Sequence, residues 1–216
     1  MKGLIIFDLD GTIVEEPEFY RSVYSGTLNE LVSDLRGEEG LKVLDFCRKN
    51  YNGKGELALL ALNIPFKEWA KRLIEAPVDS IRRRLDIVDH IRSVPFKKVL
   101  YTGSPIEMVS RTLKRIGLEE NDFEKIIGWE KPESFPLKWL CSPFVFRAIL
   151  TDLKCEPQNT WSVGDTWDTD LEPASFLGIK TAIIKKVGGK PDRNFVDLIS
   201  FLDYLKSVKE IENYVH

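Results

Sequence analysis

Short apolar runs recur at five places along the chain. They occupy residues 3–7, 98–101, 125–128, 160–163 and 180–184. Their apolar positions are continuous rather than alternating, which is typical of strands buried on both faces of a parallel sheet. Helical patterns lie between most of these runs. This alternation of strand and helix predicts an α/β fold built on a doubly wound parallel sheet.

Two of the intervening helices have recognisable ends. One carries apolar residues at Met108, Leu113 and Ile116 and is followed by Gly117, a residue favoured just after a helix. The other begins at 142–143 with Ser-Pro, an N-cap residue followed by proline at the first helical position. These signals place helices after the second and third predicted strands.

The gap between the first two runs is too long for a single crossover connection. Residues 15–94 show helical patterns and no strand signal, beginning with an amphipathic helix whose apolar positions extend from Phe19 to Leu35. We therefore predict a helical cap domain over residues 15–94, inserted into a core domain formed by residues 1–14 and 95–216.

Composition narrows the choice of function. The chain has 216 residues, of which 43% are hydrophobic, and its net charge is −3, so nothing draws it globally to nucleic acid or to an anionic membrane. Three cysteines without a C-x-x-C pair argue against a disulfide framework or a zinc site. With no readable signal peptide or membrane span, we expect a cytoplasmic protein, either a monomer or a small homo-oligomer.

The segment 7–13, which reads FDLDGTI, carries the clearest chemistry. Asp8 and Asp10 lie where the first buried strand ends, and Gly11 and Thr12 then allow a sharp turn. Ligands of open α/β sheets bind at the carboxyl ends of the strands. An isolated D-x-D is more often an acidic turn than a functional site. The functional interpretation therefore depends on all seven residues of the segment.

This segment resembles the first motif of the haloacid dehalogenase (HAD) superfamily of phosphotransferases, which have a Rossmann-like core. The resemblance implies that Asp8 is a nucleophile that attacks phosphorus and that Asp10 is the general acid, later the base that activates water. It also implies Mg²⁺ as cofactor, held by Asp8, by the backbone carbonyl of Asp10 and by Asp165.

Two further segments match the family in order and spacing. The family ends its second strand with a Ser or Thr whose hydroxyl holds a phosphate oxygen, and here Thr102 takes that position, followed by Gly103. An acidic loop follows the fourth strand, where Asp165 would complete the metal site and Asp170 matches a later, supporting acidic position. Asp168 between them is interpreted as a loop or capping residue.

The family also requires a phosphate-binding lysine upstream of the acidic loop. Lys131 stands in the expected Lys-Pro dipeptide, but the next helix begins only near Ser142. Lys138 has the more usual spacing to that helix. We favour Lys138 and keep Lys131 as its rival, although an ordinary solvated lysine is the commonest alternative for either.

In the family a helical cap in this place closes over the active site and selects the substrate, so the resemblance implies the same role for residues 15–94. Candidate selectors are Tyr20, Arg21, Tyr24 and Lys54, although the two tyrosines lie on an apolar stripe, which favours their interpretation as core residues.

The predicted activity is magnesium-dependent hydrolysis of a small phosphorylated metabolite through an aspartyl-phosphate. The alternatives are a phosphomutase of the same superfamily and a non-catalytic HAD-like binding protein. A dehalogenase needs neither Asp10 nor Asp165, and a phosphate-accepting receiver domain is much shorter, so both are disfavoured.

Overall fold

A computed structural model describes residues 3–51, 53–133 and 135–214 of the chain. Within these residues the strands form one parallel sheet of six, in the order β3-β2-β1-β4-β5-β6. The strands are β1 (Leu4–Phe7), β2 (Lys97–Pro105), β3 (Lys125–Trp129), β4 (Thr160–Gly164), β5 (Lys180–Ile184) and β6 (Arg193–Phe195). All five apolar runs are strands, and the predicted fold class is confirmed.

The short edge strand β6 was not predicted. It pairs with β5 through Arg193, Asn194 and Phe195, and two of these three residues are exposed. A strand of this kind is held by backbone hydrogen bonds to its neighbour rather than by burial of its side chains, so it leaves little trace in the apolar pattern.

The helices follow the strands in the alternating order that the sequence predicts. They are α1 (Pro17–Phe19), α2 (Thr27–Asn50), α3 (Leu57–Ala61), α4 (Phe66–Glu75), α5 (Leu85–Ser93), α6 (Ile106–Ile116), α7 (Pro143–Leu153), α8 (Glu172–Ser175) and α9 (Leu198–Tyr214). A π-helical segment, Tyr20–Gly26, joins α1 to α2. Among the described residues, none of the helices combines the length and the apolar character needed to cross a membrane.

Both faces of the sheet are covered, because neighbouring residues of a strand point to opposite faces. Ile5 and Phe7 face a cluster that includes side chains of α5, α6 and α9. Leu4 and Ile6 face a second cluster, built mainly on α7. Helices on both sides of a parallel sheet are the doubly wound arrangement.

The helical segment between β1 and β2 is itself packed in two parts. Helix α2 packs on α3 and α4, and α4 reaches β2 and α6, whereas α5 packs on α9 beside the sheet. Helix α2 breaks at Gly37, whose φ of 58° and ψ of −152° lie outside the helical region. This combination of φ and ψ is readily adopted only by glycine, so the break follows from the residue type.

Candidate active site

Asp8 follows the central strand β1 and lies between its two neighbours at the carboxyl edge of the sheet. Its backbone N–H still donates to the carbonyl of Val163 in β4, at 2.9 Å. The carboxylate is 6% exposed, and the Thr12 hydroxyl donates to its Oδ2 at 2.8 Å. The turn after β1 therefore brings a second residue of the motif back to orient the first.

Gly11 makes this turn possible. Its φ of +90° is strained for residues with a side chain, and a Cβ atom there would collide with the Asp165 carboxylate. The glycine thus allows the loop after β1 to approach the loop after β4 closely. This contact brings the first and third sequence motifs together.

Lys138 is the lysine that reaches Asp8. It lies in a 3₁₀ turn (Leu137–Leu140), is 6% exposed, and donates to Asp8 Oδ1, to Asp170 Oδ1 at 2.8 Å and to the Tyr101 carbonyl at 3.0 Å. Lys131 is instead an exposed residue, and its carbonyl accepts a hydrogen bond from the Trp129 indole. Of the two rival lysines, the structure brings only Lys138 to the acidic cluster.

The buried charges at this site shift one another's pKa values. Burial acts to lower the pKa of Lys138, but Asp170 and Asp8 outweigh it and raise that pKa above its usual value. Burial raises the pKa of Asp8 well above its usual value; Lys138 offsets part of this rise, and Asp170, Asp165 and Asp10 add to it. The carboxylates of Asp8, Asp165 and Asp170 thus outnumber the one buried ammonium beside them in the described part of the chain.

Asp8, Asp165 and Asp170 each offer a carboxylate oxygen within 4.8 Å of the others. Such hard oxygen donors suit Mg²⁺, so the residues present fit the predicted metal. Asp165 Oδ2 pairs with the ammonium of Lys186 at 2.6 Å. Asp170 is already engaged by Lys138 and by the Thr166 N–H at 2.9 Å, which suits a residue that orients the lysine.

The two oxygens of the Asp10 carboxyl differ in their contacts. Oδ2 accepts from the Ser104 hydroxyl and from the Thr102 hydroxyl, the latter at 3.1 Å. Oδ1 is buried and has no hydrogen-bond partner among the described residues. Burial raises the pKa of Asp10, although the neighbouring hydroxyl groups of Ser104, Tyr24 and Thr102 act to lower it. A raised pKa favours a carboxyl group that carries a proton to donate.

Thr102 and Gly103 lie at the end of β2, next to Asp10. Thr102 is 2% exposed, and its hydroxyl faces Asp10 and Ser104. Gly103 lines the cavity described below, and a Cβ atom there would approach the Trp139 indole nitrogen at 2.6 Å. The structure therefore places both residues beside the carboxylates, with the backbone of Gly103 facing the open space.

A cavity of about 740 Å³ lies above the carboxyl edge of the sheet. Its core wall includes Asp8, Asp10, Gly103, Ser104, Lys138, Trp139, Asp165 and Asp170. The opposite wall comes from the segment predicted as the cap and is called the cap wall; it includes Tyr20, Tyr24, Leu28, Arg48, Lys54, Trp69 and Leu73. The cavity thus combines a charged core wall with a cap wall that carries aromatic and cationic side chains and one carboxyl group, that of Glu56.

The predicted selector residues divide into two groups. Tyr20 and Tyr24 are half-buried, stack on each other with ring centroids 5.5 Å apart, and line the cavity together with Lys54. Arg21 is exposed. The apolar stripe of the first cap helix therefore contributes both to packing and to the wall of the site.

Sequence reasoning missed three residues with direct contacts at the site. Thr12 belongs to the motif at residues 7–13, and Ser104 directly follows Thr102 and Gly103 in the chain. A hydroxyl group next to predicted site residues was the available signal for both, and the structure places these hydroxyls on Asp8 and Asp10. Lys186 follows β5 in the chain, and no local pattern connects it with Asp165.

Comparisons with known proteins agree with this geometry. The family model described as haloacid dehalogenase-like hydrolase matches residues 5–184. A phosphoglycolate phosphatase of Aquifex aeolicus is 28% identical over 191 residues, which is 83% of either chain.

Solved structures at lower identity support the fold alone. A predicted phosphoglycolate phosphatase of Haemophilus somnus superimposes with a TM-score of 0.66 at 18% identity, covering 94% of this chain and 97% of that one. A HAD-hydrolase of Bacillus subtilis bound to magnesium gives a TM-score of 0.65 at 16% identity, covering 94% and 98%.

Proposed function

This chain belongs to the haloacid dehalogenase-like hydrolases, and we propose that it is a magnesium-dependent phosphatase acting on a small phosphomonoester through Asp8. Membership confirms the resemblance inferred from the motif at residues 7–13. One observation carries the proposal: the Asp8 carboxylate is held by Thr12 and Lys138 at the floor of the cavity, with Asp10 two residues further on.

The first half-reaction uses both aspartates. An oxygen of Asp8 attacks phosphorus as the bond from phosphorus to the leaving oxygen breaks, and Asp10 gives its proton to that leaving oxygen. The Lys138 ammonium, beside the nucleophile, offsets negative charge on the phosphoryl oxygens.

The second half-reaction reverses the role of Asp10. Its carboxylate takes a proton from water while the water oxygen attacks phosphorus, and the bond from phosphorus to Asp8 breaks. Inorganic phosphate and the free Asp8 carboxylate result. Asp170 holds Lys138 in place throughout, since it contacts the ammonium at 2.8 Å.

Mg²⁺ would be held by Asp8, by the Asp10 carbonyl and by Asp165, and when bound it supplies positive charge that lets an anionic phosphate approach anionic carboxylates. The acidic cluster supports this assignment because its negatively charged carboxylates outnumber the single buried ammonium, that of Lys138. It also favours a phosphatase over a dehalogenase, which needs no such cluster.

The test is phosphate release from a panel of small phosphomonoesters, measured with Mg²⁺ and with chelator. We expect release that depends on Mg²⁺ and that Asp8→Asn abolishes, with a loss of at least about 10⁴-fold. Absence of release from every ester by the wild-type protein would contradict the proposal. Transfer of phosphate between positions of a sugar would then favour a phosphomutase, and absence of both activities a binding protein.

A further inference from the structure

A chain of hydrogen bonds connects the cap to the carboxyl group of Asp10. The Tyr24 hydroxyl lies 2.6 Å from the Ser104 hydroxyl, and Ser104 in turn donates to Asp10 Oδ2. Tyr24 belongs to the π-helical segment at the start of the cap, whereas Ser104 lies at the end of β2. Three separate elements therefore meet at one carboxyl oxygen.

The direction of this chain follows from the available protons. The Ser104 hydroxyl has one hydrogen, which it donates to Asp10, so its lone pair is left to accept from the Tyr24 hydroxyl. Thr102 adds a second donor to the same Oδ2, at 3.1 Å. Oδ2 is thereby fixed as an acceptor, and Oδ1, which has no partner among the described residues, is left as the oxygen that can carry a proton.

The position of Tyr24 is itself well determined. Its ring stacks on Tyr20 and meets Phe19 edge-on, with centroids 5.9 Å apart. The next turn of the cap is held by Trp69, whose indole N–H donates to Thr27 at 2.9 Å. π-Helical segments commonly mark functional positions in helices, and this one presents a phenol to the core.

We propose that Tyr24 is a positioning residue, which acts through Ser104 to hold Asp10 with Oδ1 directed at the leaving oxygen of the substrate. Because Tyr24 is part of the cap, seating of the cap on the core would orient the acid. Only the proton on Asp10 is transferred, and Tyr24 and Ser104 keep theirs. This inference rests on the proposed phosphatase function, in which Asp10 is the acid.

The neighbouring Tyr20 offers a matched control. It also lines the cavity and has the same ring, but its hydroxyl donates to the Val14 carbonyl at 3.3 Å. Tyr24→Phe removes the hydroxyl bound to Ser104 and keeps the stacked ring. Tyr20→Phe removes the hydroxyl of the other ring in the stack, which is not bound to Ser104. The two variants differ in their connection to Asp10.

The experiment measures kcat/KM on a series of substituted phenyl phosphates, from p-nitrophenyl phosphate to phenyl phosphate, for wild type, Tyr24→Phe, Ser104→Ala and Tyr20→Phe. The ring is shared across the series and the leaving group becomes harder to expel without a proton. We expect Tyr24→Phe and Ser104→Ala to slow phenyl phosphate about tenfold or more and p-nitrophenyl phosphate less than about twofold. Tyr20→Phe should affect both esters equally.

Thermal unfolding of each variant checks that it folds, and Asp10→Asn provides the reference for loss of the acid. Equal losses on all esters for Tyr24→Phe would overturn the inference, since they would indicate lost packing or substrate contact. If Asp10→Asn itself shows no dependence on the leaving group, the assignment of the acid fails. If wild type hydrolyses none of the esters, the proposed function fails and this inference with it.

Discussion

The side chains of the core wall and of the cap wall are held in place by different kinds of interaction. On the core wall, carboxylates and an ammonium are buried and hold one another, as Lys138 does with Asp8 and Asp170. On the cap wall, aromatic rings stack on each other, as Tyr20 and Tyr24 do, and cationic side chains such as Lys54 lie at a half-buried surface.

This contrast separates the reaction from the choice of substrate. Side chains at the ends of the strands are held in place by hydrogen bonds to one another. Transfer of a phosphoryl group requires such precise positioning of the reacting groups. Apart from Tyr24, which is linked to Asp10 through Ser104, the side chains of the cap wall can be exchanged without removing a contact to those groups. A change to a core group that acts on Asp8 or on the phosphoryl group should therefore slow every substrate alike, whereas a change to a cap side chain that contacts the rest of the substrate should alter the ranking of substrates. Ser104 and Tyr24 are the exception, because their effect through Asp10 depends on the leaving group.

Among the variants that test this contrast between the two walls, Lys138→Met should have the largest effect. Removing the ammonium leaves Asp8 and Asp170 without their shared partner and removes charge stabilisation, so we expect activity to fall about 10²- to 10³-fold on every ester. Lys131→Met is the matched control, and it should change activity less than about twofold, as is usual for an exposed residue. Steady-state assays over the ester panel check both, and a larger loss for Lys131→Met would reverse the assignment.

Thr12→Val should have a smaller effect of the same uniform kind. The substitution keeps the shape of the side chain and removes the hydroxyl that donates to Asp8 Oδ2. Hydrogen bonds to charged groups contribute about 1.5–3 kcal/mol, so we expect a loss of about 10- to 150-fold, mainly in kcat. Thr12→Ser should restore most of it. A loss confined to some esters would place Thr12 in substrate selection instead.

Lys54→Met tests the cap wall. Lys54 lines the cavity from the loop between α2 and α3, where its charge suits an anionic substituent of the substrate. We expect KM to rise about tenfold for esters that carry a second anionic group and to stay unchanged for p-nitrophenyl phosphate. Comparing KM across the panel checks this. An equal loss for all esters would contradict the division between the two walls.

The smallest effect should come from Lys186→Met. Lys186 is more than half exposed and pairs with Asp165 Oδ2, so it competes with any metal for that oxygen. Exposed ion pairs contribute about 0.2–1 kcal/mol, so its removal should lower the Mg²⁺ concentration for half-maximal activity by no more than about fivefold. A magnesium titration measures this, and a requirement for more Mg²⁺ would show that Lys186 supports the metal site.

Much of the fold could be predicted from the sequence, because strands that are buried on both faces of the sheet appear as continuous apolar runs. The five predicted strands and the helical segment after β1 follow from such patterns. The short strand β6 was missed because its side chains are mostly exposed. The division into a cap over 15–94 and a core stays a prediction, and in the structure α5 of this segment packs on α9 of the core.

The sequence by itself indicated the first motif, and the hydrogen bond from Thr12 to Asp8 lies within that single turn, so its geometry is local. The sequence left the lysine open, because spacing along a loop does not fix where a side chain points. Only the tertiary structure brought Lys138 to Asp8, across 130 residues, and Tyr24 to Ser104, across 80. Contacts between distant segments depend on how the sheet and the cap pack together, and no local pattern encodes that packing.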